Sequence, residues 1–352
     1  MYSSISNMSE IRVKRLNNID KLRCICAFLV VYVHAPISGE IGLYLSSLAR
    51  VAVPIFFIIS GYFYTLSSSG RQIKKLIILL VLGNAIYLIW YTLRSAHAGH
   101  AVKYLKTVFK LKRVRGFLLL NNNYISGHLW YLGAILYVTV IITLIFRINE
   151  LIGRRILYIL IPFLLAGDLL LGKYSLLVTG MEYRVSIVRN WIFVGIPYFS
   201  IGLLIKEYEG YIYNRICGNG KIFLLGVILL SSAGIIVEKS MLMNIGLDTK
   251  REHYISTTFL AISVFLLFLF FVSNNHNKIS EIGKYYSTWV YILHLIFKKI
   301  LDELANVTGL ENVYIYVCPF AVFIITTLFV EILFRIIKSD TYRVIKNKIS
   351  ST

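Results

Sequence analysis

Apolar runs of about membrane-crossing length recur along nearly the whole chain, parted by short polar stretches rich in Lys, Arg, Asn and Gly. About 20 apolar residues cross a bilayer. On that measure the pattern predicts about ten spans, near residues 22–38, 43–66, 76–93, 127–147, 154–172, 188–206, 220–237, 254–273, 285–303 and 313–337. The first is short, and the third and ninth carry polar residues. The expected fold class is all-α, a polytopic membrane helix bundle with about ten transmembrane helices. No stretch reads as a separate soluble domain. The expected organisation is an N-terminal segment 1–21, a transmembrane domain 22–337 and a basic tail 338–352.

Charge orients these spans through the excess of Lys and Arg in cytoplasmic loops. Arg12, Lys14, Arg15 and Lys21 precede the first span, and Arg71, Lys74 and Lys75 follow the second. Arg147, Arg154 and Arg155 lie between spans four and five, Lys206, Arg215 and Lys221 between six and seven, and Lys278 and Lys284 between eight and nine. Arg335, Lys338, Arg343, Lys346 and Lys348 close the chain. All these sets fall on one side when both termini are cytoplasmic. The loop 94–126 breaks the pattern. It is basic, with Lys103, Lys106, Lys110, Lys112, Arg113 and Arg115, and apolar residues interleave. That mixture suits an amphipathic helix on the outer leaflet, either an interfacial anchor or a basic platform for an anionic acceptor.

Composition agrees with the pattern. The 352 residues are 57% hydrophobic and 15% charged, against about 25% charged in soluble domains. The net charge of +20 belongs in loops and tails, where it favours anionic lipids or an anionic ligand. Nucleic acid is not an expected partner, because no soluble basic module is present to hold it. Cys24, Cys26, Cys217 and Cys318 have neither metal nor redox spacing and read as small apolar residues. No bound metal or cofactor is expected. The first apolar segment has basic flanks without a small-residue cleavage pattern, so it is expected to remain as a span. The Ile-, Lys- and Tyr-rich composition fits a low-GC bacterium, and the expected location is its cytoplasmic (inner) membrane.

Ionisable residues inside a span are costly and mark function by default. Arg23 and His34 are eleven residues apart in the first span. That separation returns a helix to within about 20° of the same face, roughly 16 Å further along. The two side chains cannot touch, but one elongated ligand can touch both. His34 is a natural general base near neutral pH, or else a hydrogen-bonded core histidine. Pro36 should end or bend its helix. Arg23 reads as a phosphate contact or a snorkelling anchor, oriented by Asp20 one turn earlier. Arg71, Lys74 and Lys75 could complete a phosphate-binding rim. Pro54 and the Ser60–Gly61 pair permit a kink and close helix contact in the second span. Arg50 near its outer end, Arg189 at the start of the sixth span, His128, Trp130 and Tyr131 at the start of the fourth, and Tyr291 and His294 in the ninth are candidate site-lining residues. Trp130 and Tyr131 also fit an interfacial aromatic belt.

These residues resemble the integral-membrane acyltransferase family 3. Its hallmark is an arginine and a histidine separated by ten residues in the first span, matched by Arg23 and His34. Ile19–Arg23, Val53–Tyr62, His128–Leu132, Arg189–Asn190 with Gly195–Phe199, and Tyr291–His294 are similar to further blocks of the family, in family order. The resemblance implies about ten helices and transfer of an acyl group, often acetyl, from cytoplasmic acyl-CoA to a hydroxyl of an envelope glycan or similar acceptor. It makes His34 the catalytic histidine and Arg23 its partner. Acyl-CoA would then be a co-substrate, with Arg23, Arg71, Lys74 and Lys75 on the donor side and Arg50, His128, Trp130, Tyr131, Arg189, Tyr291 and His294 lining the acceptor side. One departure stands out. The paired arginines many members carry after the second span become Arg71 and Lys74, and lysine lacks the bidentate fork. Two other functions fit the same buried histidines: a transporter or flippase, or a membrane module for uptake or sensing of a small amino acid.

Overall fold

The computed structural model describes residues 16–249 and 253–350, with side chains described to residue 337. Residues 1–15, with Arg12, Lys14 and Arg15, lie outside the described residues, as do the side chains of the basic tail 338–352. All described elements are helical: α1 Asn17–His34, α2 Glu40–Ala49, α3 Ala52–Tyr62, α4 Ser69–His97, α5 Ala101–Val108, α6 Leu111–Leu120, α7 Trp130–Asp168, α8 Ser175–Thr179, α9 Val185–Val188, α10 Ile196–Glu207, α11 Glu209–Ile216, α12 Gly220–Asn244, α13 Ile255–Phe271, α14 Lys278–Glu281, α15 Ser287–Thr308 and α16 Glu311–Ser350. Short π-helical turns precede α10 and α15.

Among the described residues, five helical stretches are long and apolar enough to cross a membrane: Glu40–Tyr62, Leu66–His97, Gly127–Lys173, Gly220–Asn244 and Glu311–Ile337. The other apolar helices are shorter or more charged; α13, for example, has 17 residues. The 39-residue α7 covers the predicted fourth and fifth spans. Unbroken at about 1.5 Å per residue it would be nearly 60 Å long, about twice a bilayer core. Asn149 has non-helical φ −159° and ψ 105°, and breaks it. Beyond the break the chain folds back, because a Cβ at Gly153 would lie 2.6 Å from the Ile145 side chain and Arg154 stacks over the Phe146 ring.

Several boundaries differ from the sequence reading, for local reasons. α1 begins at Asn17, not 22, because Asn18 donates to the Phe268 and Leu269 carbonyls and Lys21 to Ser273 and Asn275. Those bonds pull the expected tail into the bundle. α1 stops at His34 because a residue before proline avoids helix, and Ala35 precedes Pro36. The second span breaks at Arg50–Val51 into α2 and α3. Pro54 supplies no N–H to the Arg50 carbonyl and its ring crowds that oxygen. The basic loop 94–126 is helical, but as two pieces, α5 and α6, with Val102, Phe109, Leu111, Leu118 and Leu119 exposed.

Small residues set the closest contacts. A Cβ at Gly61 would lie 1.9 Å from the Phe199 carbonyl oxygen, and one at Gly202 2.1 Å from that of Ile58. α3 and α10 therefore meet backbone to backbone, which only glycine allows. A Cβ at Gly283 would lie 1.7 Å from the Asp20 carbonyl oxygen, so the turn before α15 is pressed against the start of α1. Basic positions collect at this end of the bundle. Arg23 lies over Phe63, Phe63 packs on Tyr62, and Lys206 lies over Tyr62. Arg154 pairs with Glu207 and Lys278 with Glu331.

Candidate functional site

Both ends of α1 open onto cavities. Near its start, Arg23 bonds Asp20 at 2.9 Å, and the carboxylate is almost fully buried. The guanidinium is held over Phe63, 5.5 Å from the ring centre. It borders a polar cavity of about 280 Å³ with Gln72, Lys75, Ser60, Lys284, Tyr131 and Tyr291. Three cations thus stand at one cavity. Gly283 brings Lys284 there, since the backbone contact at Asp20 places the next residue beside α1.

The face of α4 turned to this cavity carries Gln72, Lys75, Leu76 and Leu79, the i, i+3, i+4, i+7 stripe of one helix side. Arg71 and Lys74 are exposed and off that stripe. Neither borders the cavity, so of the expected rim the structure brings only Lys75 to Arg23. Ser60 bonds back to the Phe56 carbonyl at 2.8 Å within its own helix.

The last turn of α1 carries His34 into a cluster of three histidines. Its ring centre lies 5.1 Å from that of His294 and 6.1 Å from that of His128, and His128 and His294 are 5.1 Å apart. His128 is buried. Its Nε2 donates to the Ile292 carbonyl and its Nδ1 accepts from Ser126. A carbonyl only accepts, which fixes the neutral tautomer. His294 is fully buried, and its Nδ1 donates to the Tyr291 carbonyl at 2.8 Å. Its Nε2 has no hydrogen-bond partner. Both His128 nitrogens and one of His294 are thus engaged by protein groups. No metal-binding group of His, Cys, Asp or Glu is present among the described residues.

Tyr291 stands between the basic cavity and this cluster. Its ring packs on Tyr131 and on His128, and its hydroxyl donates to the His128 carbonyl. Tyr291 and His294 thus both direct a donor to a backbone carbonyl.

On the far side His34 borders a second, small cavity of about 50 Å³, with Arg50, Trp130, Arg189 and His253. Arg189 stacks over Trp130 at 5.4 Å. The same pair borders a wider vestibule of about 250 Å³ with Asn122, Tyr124 and Arg184. Asn121 ties the start of α7 to the turn that follows Arg189. It adopts φ +47°, which Asn tolerates better than most residues. Its side chain donates to the Trp130 carbonyl and accepts from the Trp191 N–H. Asn190 caps the following turn by accepting from Ile192 and Phe193.

The sequence reading missed Lys284, Asn121, His253 and Asp168. His253 Nδ1 is bonded to Asp168 at 2.7 Å, and both are buried. Asp168 lies inside an expected span, where an ionisable residue is a signal of function by the rule that singled out His34.

A family model described as an acyltransferase domain, that of acyltransferase family 3, matches residues 16–336. The serine/alanine racemase of Enterococcus gallinarum is 25% identical over 302 residues, which are 78% of this chain and 40% of that protein. The chain therefore spans less than half of that relative's length. No solved structure matches the chain.

Proposed function

The chain belongs to acyltransferase family 3, and we propose that this membrane acyltransferase moves an acyl group, acetyl in the simplest case, from acyl-CoA to a hydroxyl, with His34 as general base. One observation carries the reading. His34 lies between a basic cavity that ends at Tyr291 and a second cavity that opens past Trp130 and Arg189.

Coenzyme A has a phosphate-rich head and a thin pantetheine arm. Arg23, Lys75 and Lys284 would hold the head. The arm would pass Tyr131 and Tyr291, so Tyr291 must swing for the thioester to reach His34. The acceptor would enter past Arg189 and Trp130. His34 takes the hydroxyl proton as oxygen attacks the thioester carbonyl. The C–S bond then breaks and the proton returns to the leaving sulfur. Arg50, beside His34 in the small cavity, supplies positive charge for the oxyanion. Direct transfer needs no acyl-enzyme.

In this reading the Arg23 end and both termini lie in the cytoplasm, with about ten crossings of a bacterial inner membrane, and the charge pattern along the sequence supports that orientation. The acceptor would be an envelope glycan or another exported hydroxyl compound. The exposed apolar and basic residues of α5 and α6 suit contact with anionic lipid headgroups.

Purified protein in detergent, given labelled acetyl-CoA, should bind it and slowly release the label from the thioester. No binding would overturn the proposal. That result would favour the second reading, a transporter or amino-acid uptake module, for which the buried histidine cluster between two cavities would be the passage.

A further inference from the structure

Transfer at His34 leaves one buried acid–histidine pair without a role. Asp168, at the end of α7, accepts from His253 Nδ1 at 2.7 Å. In the neutral imidazole that bond leaves the lone pair on Nε2. The His253 ring also packs on Tyr198, whose hydroxyl pairs with Thr258. Lys173 ties the preceding loop to the end of α7, bonding Asp248 at 2.9 Å and the Thr249 carbonyl at 2.6 Å. Partners that fix both tautomer and ring orientation are what a histidine with a site role requires. The pair's position supplies that role: His253 borders the same cavity of about 50 Å³ as His34.

A water molecule occupies about 30 Å³ of liquid, so this cavity suits one or two hydroxyl-sized groups, with two imidazoles beside them. An isolated alcohol carries one O–H, which His34 takes. A second O–H on the same molecule, at the neighbouring position, can donate to the second imidazole. We propose that His253, positioned by Asp168, accepts a hydrogen bond from a hydroxyl adjacent to the reacting one, so that the acceptor is a vicinal diol, as in a sugar, and not an isolated alcohol. The inference rests on acyl transfer at His34. In that step the reacting O–H bond breaks, its proton passes by His34 to the CoA sulfur, the C–O bond forms and the C–S bond breaks. His253 exchanges no proton, and Asp168 acts only through His253.

Ethylene glycol and ethanol are minimal probes of nearly equal size. Full-length protein in detergent would receive labelled acetyl-CoA with both alcohols at equal concentration, and the labelled esters would be separated. Wild type should form at least tenfold more glycol monoacetate than ethyl acetate, because a site built for a hydroxyl rejects the analogue lacking it. Counting hydroxyls alone gives about twofold. His253→Ala and the isosteric Asp168→Asn should both fall to about twofold at unchanged acetyl-CoA affinity, and the double variant should discriminate no less than His253→Ala. Thioester consumption by wild type with a ratio near two, or with neither ester formed, overturns this inference alone. So does a wild-type ratio in either variant that elutes as folded protein. No consumption of acetyl-CoA by wild type overturns transfer at His34, and this inference with it.

Discussion

The two cavities that flank His34 are built differently. The basic one draws its cations from α1, one face of α4 and the turn before α15, and Arg23 is fixed by a carboxylate three residues away on its own helix. The small far cavity gathers α1, the α2–α3 break, the start of α7 and two loops, and its His253 is fixed by Asp168, distant in the chain. A local motif can hold a phosphate-rich donor, whose recognition needs mainly charge. Orienting one hydroxyl needs donors and acceptors placed in three dimensions, and here those come from separate segments.

That contrast makes lesions on the two sides separable. The largest effect belongs to neither side. His34→Ala should lower turnover by about 10²–10⁴-fold, the usual worth of a general base, with acetyl-CoA binding retained in radiolabel assays. Arg23→Ala or Lys284→Ala should raise the KM for acetyl-CoA by about tenfold, at the low end of a charge-assisted hydrogen bond, with kcat moved less. Arg23→Lys should recover only part of the loss, because lysine lacks the fork. Arg189→Ala should raise the KM for the acceptor about fivefold, less than a full charge-assisted bond because the guanidinium is half-exposed. Steady-state titration should find acetyl-CoA affinity unmoved in that variant. A donor-side defect from Arg189→Ala would erase the division between the cavities. Smallest of all, Arg71→Ala and Lys74→Ala should stay within about twofold on either substrate, since exposed charges off the cavity face contribute little.

The helices that position the site were legible because apolar runs and prolines report locally on a chain. Pro36 stops α1 at His34, and Pro54 breaks the chain at Arg50, placing both side chains at the small cavity. Arg23 and His34 were legible as a pair because both lie on one helix. The meeting of His34 with His128 and His294 was not, since each was visible only as a polar residue in its own apolar segment. Lys284 read as a topology marker; its place beside Arg23 depends on Gly283 touching the Asp20 backbone, a contact no pattern within α15 encodes. Arg71 and Lys74 were misplaced by one residue of helical phase, which turns a side chain by about 100°. Asp168 carried its own signal, a carboxylate in an apolar span, whereas His253 lies just before α13 and gains meaning only from Asp168.

In the proposed reaction the donor enters through the Arg23–Lys75–Lys284 cavity and meets His34 from that side. Cys217 offers a native reporter of sidedness. It is exposed while Cys24, Cys26 and Cys318 are buried, and it follows α11, at the end of the bundle where Lys206 packs beside Tyr62 and Arg23 beside Phe63. In sealed proteoliposomes, the fraction of Cys217 labelled by a membrane-impermeant maleimide gives the share of molecules with this end outward. Consumption of acetyl-CoA added outside should rise in proportion to that fraction and vanish when it is zero. Consumption that follows the unlabelled fraction would contradict the account.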